Sequence, residues 1–203
     1  MTEKTYPVIT ISREYGAGGR TIARALAEKT GLEWYDKDFV RNTVADSGYS
    51  EEDILKDGEE LKTSTKVMDS ILNSVVSYTS THDGIYRAQK EQILKLAQQP
   101  CIIIGRCSNI ILKEAGIPSF HVFLYSDMEH RMHRAAELAE NGDQDLQAYV
   151  LERDALRANY YKKYTKKILG DYHDYDLALN TGLLGTETTI EIILNAIETI
   201  QHQ

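Results

Sequence analysis

Two rhythms of hydrophobic and polar positions run through this chain. Residues 7–12 are a short β-branched, apolar run that predicts a buried strand. Gly16-Ala-Gly-Gly19 breaks that run. Over residues 21–30 the spacing becomes helical, with Ile22, Ala23, Ala25, Leu26 and Ala27 apolar and Arg24, Glu28 and Lys29 polar, and Gly31 supplies a stop. Residues 32–36 predict a second short strand. Strand, glycine loop, helix, strand is the opening of an α/β unit with a parallel sheet.

Residues 37–99 contain no proline and no convincing strand. Val67, Ile71, Leu72, Val75 and Val76 repeat at helical spacing, and so do Ala88, Gln92, Ile93, Leu96 and Ala97. Residues 47–53 read as a turn and a capped helix start, with Ser50 as cap and Asp53 in the first turn. The segment is too long for an ordinary crossover and predicts a helical insertion between strands two and three. Residues 101–105 and 119–125 predict strands three and four, with a short helix over 108–115 between them. Polar helical tracts follow, from Met128 past Glu140 and from Leu146 to about Ile168. Residues 175–180 predict a fifth strand and 188–201 a closing amphipathic helix, with Ile190, Ile193, Leu194 and Ile197 on one face.

Composition bounds the function. The chain has 203 residues, 42% hydrophobic and 27% charged, which fits one soluble domain with an inserted subdomain. The net charge of −8 argues against a polymeric nucleic acid or an anionic membrane as partner, because phosphate neutralisation dominates such binding. A small anion in a local basic pocket stays open. The first residues lack the pattern of a signal peptide, and no apolar run is long enough to span a bilayer. Cys101 and Cys107 read as two reduced thiols in cytoplasm.

The chemistry concentrates after the first strand. Arg13-Glu-Tyr-Gly-Ala-Gly-Gly-Arg-Thr21 stands where phosphate-binding loops occur, between a strand and a helix. Tyr15, Gly16, Ala17, Gly18, Gly19, Arg20 and Thr21 can aim backbone N–H groups inward, and Thr21 can reach a Mg²⁺ held by the phosphates. A tight strand-to-helix turn needs glycine too. Against the pattern G-x-x-x-x-G-K-[ST], Arg13 holds the first glycine position and Gly19 the lysine position. Arg13 or Arg20 would then have to supply the missing charge.

These residues carry a resemblance. Val8-Ile-Thr-Ile-Ser-Arg-Glu-Tyr-Gly-Ala-Gly-Gly-Arg20, Trp34-Tyr-Asp36, Ile102-Ile-Ile-Gly-Arg-Cys107 and Tyr175-Asp-Leu-Ala-Leu-Asn-Thr181 resemble, in order and over nearly the whole chain, the cytidylate kinase-like family of P-loop kinases. In that family the S-R-E-Y-G-x-G-G form of the loop recurs, whereas true cytidylate kinases carry the lysine. The resemblance implies a three-layer α/β P-loop kinase fold. It would have a five-stranded parallel sheet, a helical NMP-binding insertion at about 37–99 and an arginine-bearing lid at about 145–170. It implies ATP and Mg²⁺, a small nucleotide substrate with CMP or dCMP the first candidate, and transfer of the γ-phosphoryl group. It places Gly105-Arg106 toward the acceptor phosphate and Asn180, Thr181 and Gly182 beside the donor's adenine.

Further positions follow from residue chemistry. Asp36 stands at a strand's carboxyl end, where ligands bind in open sheets, and serves equally well as a helix N-cap. Arg131 and Arg134 share a helix face, and Arg131 is assigned to the substrate. Arg153 and Arg157, four apart, are the lid candidates, since an arginine on the transferring phosphoryl group supplies ~10³-fold or more. Lys162, Lys163, Lys166 and Lys167 read as solvated surface, Cys107 as a packing residue, and His130 and His133 as structural rather than metal-binding. A kinase of the same fold with a different acceptor and a non-catalytic nucleotide sensor are the alternatives. The sequence leaves the oligomeric state open, a homodimer included.

Overall fold

A computed structural model of the chain describes residues 7–36, 38 and 75–201. Five parallel strands form one sheet in the order β2-β3-β1-β4-β5. They are β1 (Val8–Arg13), β2 (Glu33–Tyr35), β3 (Cys101–Ile104), β4 (Ser119–Tyr125) and β5 (Leu177–Asn180). Ile9 lies opposite Ile102 and Ile11 opposite both Ile104 and Val122. The strands read as continuous apolar runs because both faces are covered, as parallel sheets require.

Helices α1 (Gly19–Thr30) and α6 (Thr181–Gln201) cover one face, where Ile9, Ile11, Leu26, Ile104, Ile190 and Ile193 are buried together. The other face packs on α2 (Val75–Leu96), α3 (Ser108–Ala115) and α5 (Leu146–Thr165) through Ile93, Ile103, Ile111, Tyr160 and Tyr161. Each isoleucine so enclosed contributes about 1.5–3 kcal/mol. This is the three-layer architecture that the resemblance implies. A third, smaller cluster joins α4 (Met128–Leu138) and α5 to the loop after β1 through Tyr15, Ala135, Tyr149 and Val150.

Two details differ from the sequence reading. The fifth strand begins only at Leu177, because Tyr172–Asp174 forms a 3₁₀ turn that ends at Tyr175. Asp176 instead bonds across to β4, its Oδ2 accepting from the His121 N–H at 2.7 Å and its own N–H donating to the His121 carbonyl at 2.8 Å. The closing helix starts at Thr181 rather than 188 and is interrupted at Gly185, where φ is 71°. Of the expected insertion, the described part, Val75–Leu96, is helical. The 47–53 cap and Val67, Ile71 and Leu72 lie outside the described residues.

A candidate phosphate site at the carboxyl edge of the sheet

β1 ends at Arg13, the chain turns through Glu14 to Gly18, and α1 starts at Gly19. Gly16 and Gly18 take φ of 82° and 76°, a region that disfavours other residues. At Gly16 a Cβ would also stand 2.5 Å from the Arg131 carbonyl oxygen, so the loop lies directly on the α4 backbone. Gly18, as N-cap, has no side chain to satisfy the first N–H groups of α1. Those groups and the helix dipole suit an anion.

Buried charge holds the loop. The Arg131 side chain is 5% exposed and lies between Glu14 Oε2 and Asp154 Oδ2, each at 2.8 Å. Glu14 Oε2 accepts from the Ser126 N–H at 3.2 Å, and Asp154 Oδ1 accepts from the Tyr15 N–H at 2.7 Å. Burial raises the Asp154 carboxyl above its ordinary value, against the pull of the Tyr15 N–H, Arg131 and Arg157. Arg131, expected at the substrate, is thus a strut beneath the loop. One turn on, Arg134 lines the cleft, its Nη2 donating to Thr21 Oγ1 at 3.1 Å and its Nη1 meeting Glu137 at 2.5 Å.

The cleft is walled by the loop from Arg13 to Thr21 on one side and by Arg134, Glu140, Arg153 and Arg157 on the other. Tyr15 donates its hydroxyl proton to Glu140 Oε2 at 2.7 Å and meets Tyr149 edge-on at 5.4 Å. Burial, reinforced by Glu140, holds the Tyr15 phenol in its neutral form. The Arg157 guanidinium lies 5.2 Å from the centre of the Tyr15 ring, and that of Arg153 4.9 Å from Tyr149. Both lid candidates therefore face the loop on aromatic supports. Arg20, half exposed, is ion-paired to Asp36 at 2.9 Å and Asp38 at 2.5 Å. Asp36 also accepts from the Asp38 N–H at 2.9 Å, so both readings of Asp36 have a basis: N-cap and cleft-edge carboxylate.

A second cavity opens behind the first, between the ends of β1 and β3, and Arg13 and Arg157 line both. Its floor is Ser12, Gly105, Arg106 and Cys107. Arg106 is 2% exposed, with its Nη1 3.4 Å from Gln89 Oε1 and its guanidinium 5.6 Å from the Tyr160 ring centre. Tyr160 donates to the same Gln89 oxygen at 2.8 Å. Sequence reasoning missed Gln89, and it paired Arg134 with Arg131 without giving it a place in the site. Gln89 looks like any polar helical position, and only its 1% exposure marks it.

A third hollow lies beyond Gly16, Ala17 and Gly18, lined also by Ser126, His130, Thr181 and Gly182. Thr181 Oγ1 donates to the Ala17 carbonyl at 3.1 Å, and Asn180 Oδ1 accepts from the Leu183 N–H at 3.2 Å. A Cβ at Gly182 would fall 2.2 Å from Ser126 Oγ. The structure thus brings Thr181 to the loop and Gly182 to the same hollow, while Asn180 bonds to the start of its own helix. His130 and His133 pair with Asp127 and Glu137 on their own helix. Cys107 is a buried thiol outside any disulfide, packed in the core. No helix among the described residues is long and apolar enough to cross a membrane.

Comparison with known proteins agrees with this geometry. The model of the cytidylate kinase-like family matches residues 8–183. The cytidylate kinase of Archaeoglobus fulgidus is 29% identical over 195 residues, spanning 94% of each chain. That of Methanocaldococcus jannaschii is 25% identical, over 96% of this chain and 99% of its own. Among solved structures, an uncharacterized protein from Eubacterium ventriosum superposes with a TM-score of 0.72 at 21% identity, over 95% of this chain and 98% of that one. Shikimate kinase from Acinetobacter baumannii superposes at 0.56 and 15% identity, over 98% of this chain and 97% of its own. These two show the fold.

Proposed function

The chain belongs to the cytidylate kinase-like family and is a nucleotide kinase, and we propose that it transfers the γ-phosphoryl group of ATP to a nucleoside monophosphate, CMP or dCMP first. The observation that carries this is the pair of cavities sharing Arg13 and Arg157 at the carboxyl ends of β1 and β3. A donor phosphate chain in the first and an acceptor phosphate in the second would meet between those two cations.

The backbone N–H groups from Gly16 to Thr21 hold the donor phosphates, helped by the uncapped end of α1, whereas the Tyr15 N–H, expected among them, is taken by Asp154. Arg13 or Arg20 supplies the charge that lysine gives elsewhere. Arg106, with Asp36 at the rim, receives the acceptor. Arg153 and Arg157 stabilise the charge that spreads over the transferring group. Asn180, Thr181 and Gly182 border the donor base. An acceptor phosphate oxygen is already a competent nucleophile near neutral pH, so no general base is required. Thr21 Oγ1, which has a lone pair beyond the one facing Arg134, would hold Mg²⁺, and the ion when bound would supply charge neutralisation at the donor phosphates. Two buried thiols outside any disulfide suit a reducing cytoplasm.

The test is a coupled ADP-release assay with ATP, Mg²⁺ and a panel of nucleoside monophosphates. Turnover dependent on CMP or dCMP is expected. Turnover with another acceptor would replace the substrate, and nucleotide binding without turnover would favour a sensor.

A further inference from the structure

The backbone does not explain the glycine at position 19. It stands in the first turn of α1, and its φ, unlike those of Gly16 and Gly18, is not positive. Glycine there gives up helix propensity with no conformational return. What fills the space is Arg13. A Cβ on Gly19 would stand 3.1 Å from Arg13 Cγ and 3.3 Å from Cδ, inside ordinary carbon contact of about 3.5–4.0 Å. The stem of Arg13 therefore crosses the face of position 19. Cγ is one bond from Cβ, so it can give way only by shifting the root of the side chain, which carries the distant guanidinium with it.

Position 19 is where the P-loop pattern has lysine, and a lysine stem would leave the backbone at this same spot. Arg20, the other candidate cation, is drawn to Asp36 and Asp38 at the rim. Arg20 lines the first cavity only, whereas Arg13 lines both.

We propose that Arg13 is the phosphate-contacting cation that replaces the P-loop lysine, and that Gly19 lacks a side chain so that the Arg13 stem can pass. The two positions crowd each other: a side chain at 19 pushes the Arg13 stem out of its working place. This rests on the kinase reading of the site. The guanidinium enters from the strand end, between donor and acceptor, rather than from the helix. Its fork can bridge phosphate oxygens on both sides, which a point charge on a helix cannot do.

A double-mutant cycle on the full chain tests it, read by ADP release and by titration of a fluorescent ATP analogue. Gly19→Ala should melt no lower than wild type, since alanine favours the helix, yet lose ~10²-fold in kcat, as when one transition-state donor is removed. Arg13→Ala should lose as much, and the double variant no more than Arg13→Ala alone. Gly19→Lys should regain at least ~10-fold in analogue affinity, about 1.4 kcal/mol, only when Arg13 is already alanine. Wild-type kcat in Gly19→Ala, losses that multiply, or a lysine gain equal with and without Arg13 would each overturn the proposal. If the analogue binds and no acceptor is turned over, the kinase reading falls, and the same cycle in Kd still decides the role of Arg13.

Discussion

Two strand-to-helix junctions stand side by side at the carboxyl edge of the sheet, and they are built by opposite means. After β1, glycines occupy the left-handed positions and α1 begins without a side-chain cap, so the loop offers backbone N–H groups. After β3, Gly105 is followed by Arg106 and Cys107, both at φ 56°. Two consecutive non-glycine residues in that region cost about 1–2 kcal/mol each. The surroundings hold them there. The Gly105 N–H donates to the Ile11 carbonyl at 2.9 Å, and the Ser108 N–H donates to the Gly105 carbonyl at 3.1 Å. The strain aims one buried guanidinium at the second cavity. One junction presents main chain and the other presents a side chain.

The largest expected effect is at Gly16. Gly16→Ala combines a positive φ with a 2.5 Å overlap on rigid backbone, and should lower stability by about 3 kcal/mol or more and abolish binding of the ATP analogue. Thermal melts and titration check it; wild-type affinity would break the contrast. Next, Arg106→Ala should raise the acceptor KM ~10²-fold while leaving analogue Kd within ~3-fold, and Arg106→Lys should recover little of it. A matching loss of donor affinity would show that the junctions do not divide the work.

A smaller effect isolates the backbone. Arg106→Gly and Arg106→Ala remove the same contacts, but glycine relieves the left-handed strain, so the glycine variant should be more stable by about 1 kcal/mol in denaturant melts. At Arg13, inside a strand, the order should reverse. The smallest effect is in pH. Asp154, bonded to the Tyr15 N–H, has a carboxyl raised by burial, so the folded state takes up its proton more readily than the unfolded one. Its contribution is greatest below the ordinary carboxylate value and is lost as pH rises through the raised one. Asp154→Asn should flatten that downward slope in Tm against pH; an unchanged slope would remove Asp154 from the account.

The strands and the glycine loop were legible because β-branched runs and glycine carry local signals that tertiary context reinforces. Arg106 was singled out by the resemblance, and its place at the end of a buried strand could be read from the apolar run before it. Arg131 and Arg134 could not be told apart, since residues three apart share a helix face. Only the contact of Gly16 with the Arg131 backbone decides which of them lies beneath the loop. Likewise the meeting of Arg13 with Gly19 depends on how the six-residue step between them folds back, which no periodicity records. Gln89 became visible only in the fold, through its burial and the oxygen that it shares between Arg106 and Tyr160.

The bond from the Tyr15 N–H to Asp154 ties the helix bearing Arg153 and Arg157 to the loop that it faces. That helix cannot swing away without stripping Arg131 of one of its two carboxylates while the guanidinium stays buried. The two arginines therefore stand against the loop with no ligand bound, and any opening of the cleft on that side has to break this latch first.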